Sequence, residues 1–209
     1  MKKVFITLIT LIISFIIILA FTPKFLIIDK IFMKNKVFIM PESVSEGIFS
    51  INLKKANVYY NDKLVIKDSD IDLQIFPLYQ GLNLFCQSKK SQILHKTFGG
   101  YYFKFDNFKC LEGFESVNGE VEIKEGVVGK LILKNFKADN RNFEFLEFLF
   151  KGKSFDFKGR TQAVDISGSG VVSFDQKNPL NSKLNATASA IGFNFVISGT
   201  ITNLQFKTQ

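Results

Sequence analysis

The chain has 209 residues, 46% of them apolar, and a formal net charge of +8; it is long enough for one ordinary domain with a sizeable core. The charge invites a nucleic-acid reading, but the lysines alternate with apolar residues, as in Phe103-Lys104-Phe105 and Phe136-Lys137-Ala138, which describes the wet face of a strand. Arginine, the preferred fork for phosphates and guanines, occurs only at Arg141 and Arg160, so no nucleic-acid partner is expected.

Residues 1–23 read as a membrane anchor. Met1-Lys2-Lys3 precedes an uncharged run from Val4 to Phe21, about 27 Å long as a helix and close to the hydrocarbon thickness of a bilayer. A cleaved signal peptide is the competing reading, but Leu19-Ala20-Phe21-Thr22-Pro23 offers no small-x-small site. A retained single-pass anchor with the following domain exported is therefore expected. Residues 24–36 form a short juxtamembrane helix: Phe25, Leu26, Ile27, Ile28, Ile31, Phe32 and Met33 have helical spacing. Either it lies on the membrane with its lysines near lipid phosphates, or it caps the end of the domain core.

From Val37 to the C-terminus, residues 37–209, alternation with period two dominates. Ile71, Leu73 and Ile75 share one face, as do Ile166, Gly168, Gly170, Val172 and Phe174, and Gly, Asn, Asp and Pro punctuate between such runs. Nine or ten antiparallel strands are expected, with one short helix predicted over Arg141–Phe150, where Phe143, Leu146 and Phe150 lie on one side. In several strands the alternation changes phase. Leu53 gives way to Ala56; at Asn107, Asn135 and Asn203 the slip occurs beside an asparagine. A β-bulge at each asparagine would return the flanking apolar residues to one face and bend the strand; a plain turn is the alternative. The expected architecture is mainly β, a curved, elongated antiparallel sheet forming an open groove or incomplete barrel. Its candidate groove residues are Phe103, Phe105, Leu131, Leu133, Phe193, Phe195, Ile197 and Ile201. Cys86 and Cys110, the only cysteines, either join in a disulfide or rest as two buried thiols.

The residues that carry chemistry are sparse. His95 is the only histidine, which rules out an HExxH motif or a multi-histidine zinc site, and it lies among Lys and Ser in a turn-like segment. Gly168-Ser169-Gly170 lacks the third glycine and following helix of a phosphate loop. Glu120 and Glu122 share one side of a strand as its wet face. No enzyme, cofactor or metal is expected.

The order of parts, an anchor, then Thr22-Pro23-Lys24-Phe25-Leu26-Ile27, then strands ending in Ile75-Phe76-Pro77-Leu78-Tyr79-Gln80-Gly81-Leu82, resembles the N protein of type II secretion systems and the wider AsmA-like group. The glycine-led runs Ser167–Phe174 and Ile197–Ile201 extend the likeness. The resemblance implies an inner-membrane protein with a periplasmic domain, a groove that holds lipid acyl chains, secretion-apparatus proteins as partners, and a role in envelope transport or secretion. A structural subunit that pairs through sheet edges, without lipid, is the other expectation.

Overall fold

The structure, a computed structural model, describes residues 11, 14, 22–76, 79–97, 99–138, 141–161, 164–175, 182–190, 193–200 and 203–208. Helix α1 (Lys24–Lys34) is followed by β1 (Val37–Met40), β2 (Ser43–Glu46), β3 (Ser50–Tyr60), β4 (Lys63–Ile75), β5 (Tyr79–Cys86), β6 (Lys89–Lys96), β7 (Gly100–Phe108) and β8 (Phe114–Ile123). Then come β9 (Val127–Ala138), β10 (Arg141–Gly152), β11 (Ser154–Thr161), β12 (Val164–Ser173), β13 (Lys183–Ala190), β14 (Phe193–Thr200) and β15 (Asn203–Thr208). All strands join one antiparallel sheet in chain order, except that β1 and β2 lie end to end against the same edge of β3. Asn61-Asp62 and Gln87-Ser88 close two of the hairpins, both residues of each pair having positive φ, as the tightest hairpin turns require.

Two expectations are corrected. Among the described residues no helix is long and apolar enough to cross a membrane. Helix α1 has 11 residues, about 17 Å of rise against a hydrocarbon core of roughly 30 Å. The run from Val4 to Phe21 lies almost wholly outside the described residues, so neither the anchor at 1–23 nor the single-pass inner-membrane placement is supported. The helix expected over Arg141–Phe150 is instead β10, paired with β9 from Arg141 to Gly152 and with β11 from Phe145 to Lys151. Its Phe143/Leu146/Phe150 spacing is real, but Leu146, Phe148 and Phe150 also alternate. Backbone pairing on both sides, together with the β-preference of phenylalanine, decides between the two periods.

The meander keeps one apolar face across the sheet. Partners in successive ladders run Ile51–Leu73–Leu82–Ile93–Phe103–Val121–Gly129 and on through Phe150–Phe155–Gly170–Ala186–Ile197, one residue from each strand from β3 to β14. Directly opposed residues share a face, so this row is the inner surface. The other face carries the charge. Lys104 pairs with Glu120, Glu147 sits between Lys130 and Lys158 at 3.1 and 3.5 Å, and Arg160 meets Asp165 at 2.8 Å. Such exposed pairs contribute little stability each. They account for the lysines that alternate with phenylalanines.

The sheet is rolled. Five strand spacings separate β7 from β12, about 24 Å in a flat sheet, yet the rings of Tyr101 and Phe174 meet at 6.3 Å. Part of the curvature comes from bulges, and each left-handed bulge residue has its freed N–H capped from a neighbouring strand. Lys55 (φ 43°) donates its N–H to Asp70 Oδ1 at 2.9 Å; Asp68 (φ 49°) donates to Asn57 Oδ1 at 3.0 Å; Asn107 (φ 48°) donates to Asn118 Oδ1 at 2.7 Å. The ladders shift register at Leu53/Ala56 and at Phe105/Phe108, so Ala56 and Phe108 both return to the buried side. The phase slip at Leu53/Ala56 thus uses a lysine, not an asparagine.

The other two asparagines behave differently. Asn135 has φ 41°, but the pairings on either side of it keep one register with β8 and with β10. Phe136 therefore leaves the inner row and stacks between Phe114 and Phe143, at 5.1 and 4.9 Å. Asn203 opens β15 opposite Thr200 in an ordinary ladder. Its slip reflects the parity change of a hairpin, whose residues 201–202 lie outside the described residues.

Two predictions follow from the capped bulges. Asn118→Ala leaves the Asn107 N–H without its acceptor and lowers stability by about 1–2 kcal/mol in urea denaturation. The Asp70 carboxyl is held below its usual range, first by the hydrogen bond from Lys54 and then by the Lys55 N–H. A depressed folded-state pKa gives stability that is full above the unfolded value and lost as pH falls through the folded one. Asp70→Asn should therefore flatten the fall in stability as pH drops below the ordinary carboxylate range; an unchanged acid limb in thermal melts would count against this capping role.

Candidate functional site

The inner face is built from three apolar clusters, and their order along the sheet sets its two ends. The first, around Ile51, Leu53, Ile71, Leu84 and Phe108, is closed off. Phe25 and Ile28 of α1 pack against it, which settles the role of this helix's inner side as a core cap. Glu46 fixes the start of the helix by accepting the N–H groups of Lys24 and Phe25 at 2.8 and 3.0 Å. The segment after β7 folds back on β4: Lys67 N–H donates to Cys110 O at 2.9 Å and Glu112 N–H to Val65 O at 2.8 Å. A Cys86–Cys110 disulfide clasps that segment to the end of β5, with the Cα atoms 5.8 Å apart.

The second cluster, Phe155, Phe157, Ala186 and Ala188 with Leu146, Phe148, Phe150 and Ile197 around them, fills the C-terminal half. Here large residues lie over small ones. A Cβ on Gly168 would come 2.5 Å from Phe157 Cζ, and one on Gly170 would come 2.6 Å from Phe155 Cζ. The glycines that look like a phosphate loop in the sequence thus make room for rings.

The third cluster is the open one. Val121, Ile123 and Val127 are buried, and Tyr101, Phe103, Leu131, Phe150, Val172 and Phe174 ring them only partly covered. Two cavities, of 370 and 530 Å³, adjoin over it at the hairpin ends and share Lys124, Glu125 and Phe174. Volumes of this order suit a small apolar or amphiphilic ligand. His95 stacks on Tyr101 at 4.5 Å at the edge of the larger cavity. Among the described residues no group of three His, Cys, Asp or Glu side chains could hold a metal ion.

The eight candidate groove residues do not gather into one lining. Phe103 and Leu131 belong to the open cluster, Phe105 packs into the closed end, and Ile197 packs against the second cluster. Leu133 pairs with Val117 and Leu146. Phe193 and Phe195 occupy β14 positions opposite Ala190 and Ala188, but their side chains, like all of Ile201, lie outside the described residues. The walls of the cavities are instead Tyr101, Ile123, Val127, Val172 and Phe174. Each stands at or near a strand end beside a turn, a position that alternation marks only as one more inner residue.

The molecule is thus a single rolled β-meander, capped at one end and open over an apolar cluster further along. The chain is similar to an uncharacterized protein of Aquifex aeolicus (strain VF5), 29% identical over 187 residues, covering 90% of this chain and 85% of the relative. No family model and no solved structure matches it.

Proposed function

We propose that this protein is a non-catalytic binding module that holds an apolar guest, a lipid acyl chain in the first instance, on the inner face of its rolled sheet. The observation that carries the reading is the state of that face. An apolar row runs from β3 to β14, yet in the third cluster Tyr101, Phe103, Leu131, Val172 and Phe174 stay only partly covered beside cavities of 370 and 530 Å³. A guest that covers such surface gains about 25 cal/mol for each Å² removed from water. The resemblance to the type II secretion N protein and the AsmA-like group supports placing this binding in envelope transport or secretion. A second reading, a structural subunit of a secretion or uptake apparatus, draws on the sheet edge: among the described residues β15 pairs with β14 alone, which leaves a strand edge for a partner.

Mass spectrometry of the purified full chain should find co-purifying lipid, and the delipidated protein should take up a fluorescent fatty acid. Phe103→Glu puts a charge into the inner row and should abolish uptake, while Leu149→Glu, on the outer face opposite Lys130 and Asp156 and outside both cavities, should leave it intact. Circular dichroism checks that both variants fold, and Leu131→Ala serves as a milder inner-face variant with reduced uptake. A wild-type protein that carries no lipid and takes up none would sink the reading in favour of the edge-pairing subunit.

A further inference from the structure

We infer that the mouth over the third cluster is a headgroup site selective for an amphiphile with an anionic head, a carboxylate or phosphate ester on an alkyl chain. The inference rests on the apolar-guest reading above and adds which guest the site selects. Two kinds of surface meet there. The floor of both cavities is apolar, made by Tyr101, Ile123, Val127, Val172 and Phe174. The rim is basic, and its lysines come from four separate places in the chain: Lys96 at the end of β6, Lys124 between β8 and β9, Lys153 between β10 and β11, and Lys183 at the start of β13.

The topology explains the convergence. In an antiparallel meander every second hairpin end falls on the same side of the sheet, and the roll that brings Phe174 to Tyr101 draws these ends together. Residues roughly thirty positions apart in sequence thus face one opening. Two carboxylates oppose them. Glu122 is already bridged to Lys124 at 2.8 Å, and Glu125 lines both cavities. Lys96, Lys153 and Lys183 carry no ion pair among the described residues. The mouth therefore keeps a surplus of two positive charges beside an apolar floor, where a field is screened less than on an open surface. A tail on the floor with an anion at the rim satisfies both parts. A neutral head leaves the lysines without a partner, and a free inorganic anion makes no use of the floor.

The test compares three ligands on the delipidated full chain, by displacement of a fluorescent fatty acid: oleate, oleyl alcohol of the same chain length, and inorganic phosphate. The expected result is that oleate binds more tightly than oleyl alcohol and that added salt narrows the gap. Lys153→Gln with Lys183→Gln, both exposed positions, should weaken oleate roughly three- to tenfold and oleyl alcohol by less than about twofold, as expected for losing two partly screened cations. Equal binding of oleate and oleyl alcohol, unaffected by the lysine variants, overturns the headgroup site and leaves the apolar guest standing. Displacement by inorganic phosphate at the same concentration as oleate overturns the amphiphile in favour of a simple anion site. Failure of both oleyl ligands to bind the wild type overturns the inference together with the reading beneath it.

Discussion

Gly129→Ala should destabilise the sheet by about 4 kcal/mol, one of the two largest effects of substitution expected here. Two costs add at this position. Gly129 has φ +138°, a conformation that costs an L side chain roughly 1–3 kcal/mol. A Cβ there would also fall against the carbonyl oxygen of Glu120, far inside van der Waals contact. Forcing room between packed backbones costs roughly another 1–3 kcal/mol. Gly119 repeats the arrangement across the same pair of strands, with φ +136° and its own clash on the Lys130 carbonyl. These two glycines let β8 and β9 approach and turn at the point where Phe105 and Leu131 both pair with Gly119. Gly113→Ala is the control: φ is +82° but nothing lies within 4 Å, so only the backbone term of about 1 kcal/mol remains. Urea denaturation of the three variants checks the ordering. Equal midpoints for Gly129→Ala and Gly113→Ala would contradict the close approach of the two strands.

Removing the clasp is the second large effect. Cys86→Ala with Cys110→Ala opens a loop with a sequence separation of 24, and the chain-entropy estimate for a loop of that size is about 3 kcal/mol. The loss should be local before it is global. The segment after β7 is held to β4 by the Lys67 and Glu112 amides, so these amides should exchange with solvent faster in the variant, while amides of β11 and β12 keep their protection. Comparing the wild type with and without reductant gives the same answer without substitution. Unchanged exchange at Lys67 and Glu112 would show that the strand-like pairing, not the disulfide, holds that end closed.

Much of the architecture is legible in the residues themselves, because a side-chain period of two needs no tertiary information. Ile71/Leu73/Ile75 and Gly168/Gly170/Val172 announce their strands and their inner face, and the interleaved lysines announce the wet one. The turn chemistry of Asn61-Asp62 is equally local. Where the reading failed, two local signals competed or one had no local consequence. Phe143, Leu146 and Phe150 satisfy a helical spacing, and only the ladders to β9 and β11 make Arg141–Gly152 a strand. Asn107, Asn135 and Asn203 look alike in sequence. One is a bulge, one a left-handed residue in an unshifted ladder, and one the start of a strand, because register depends on the neighbour's hydrogen bonds.

The sequence alone therefore determined that the chain is an antiparallel β-protein with one apolar and one charged face, since alternation is a property of consecutive residues. Which inner residues stay open to a guest was decided only by the tertiary structure. The roll that sets Phe174 on Tyr101, the fold-back of Cys110 onto β4 and the meeting of Lys96, Lys153 and Lys183 at one rim all join residues far apart in the chain, through strand pairing and curvature that no short stretch encodes.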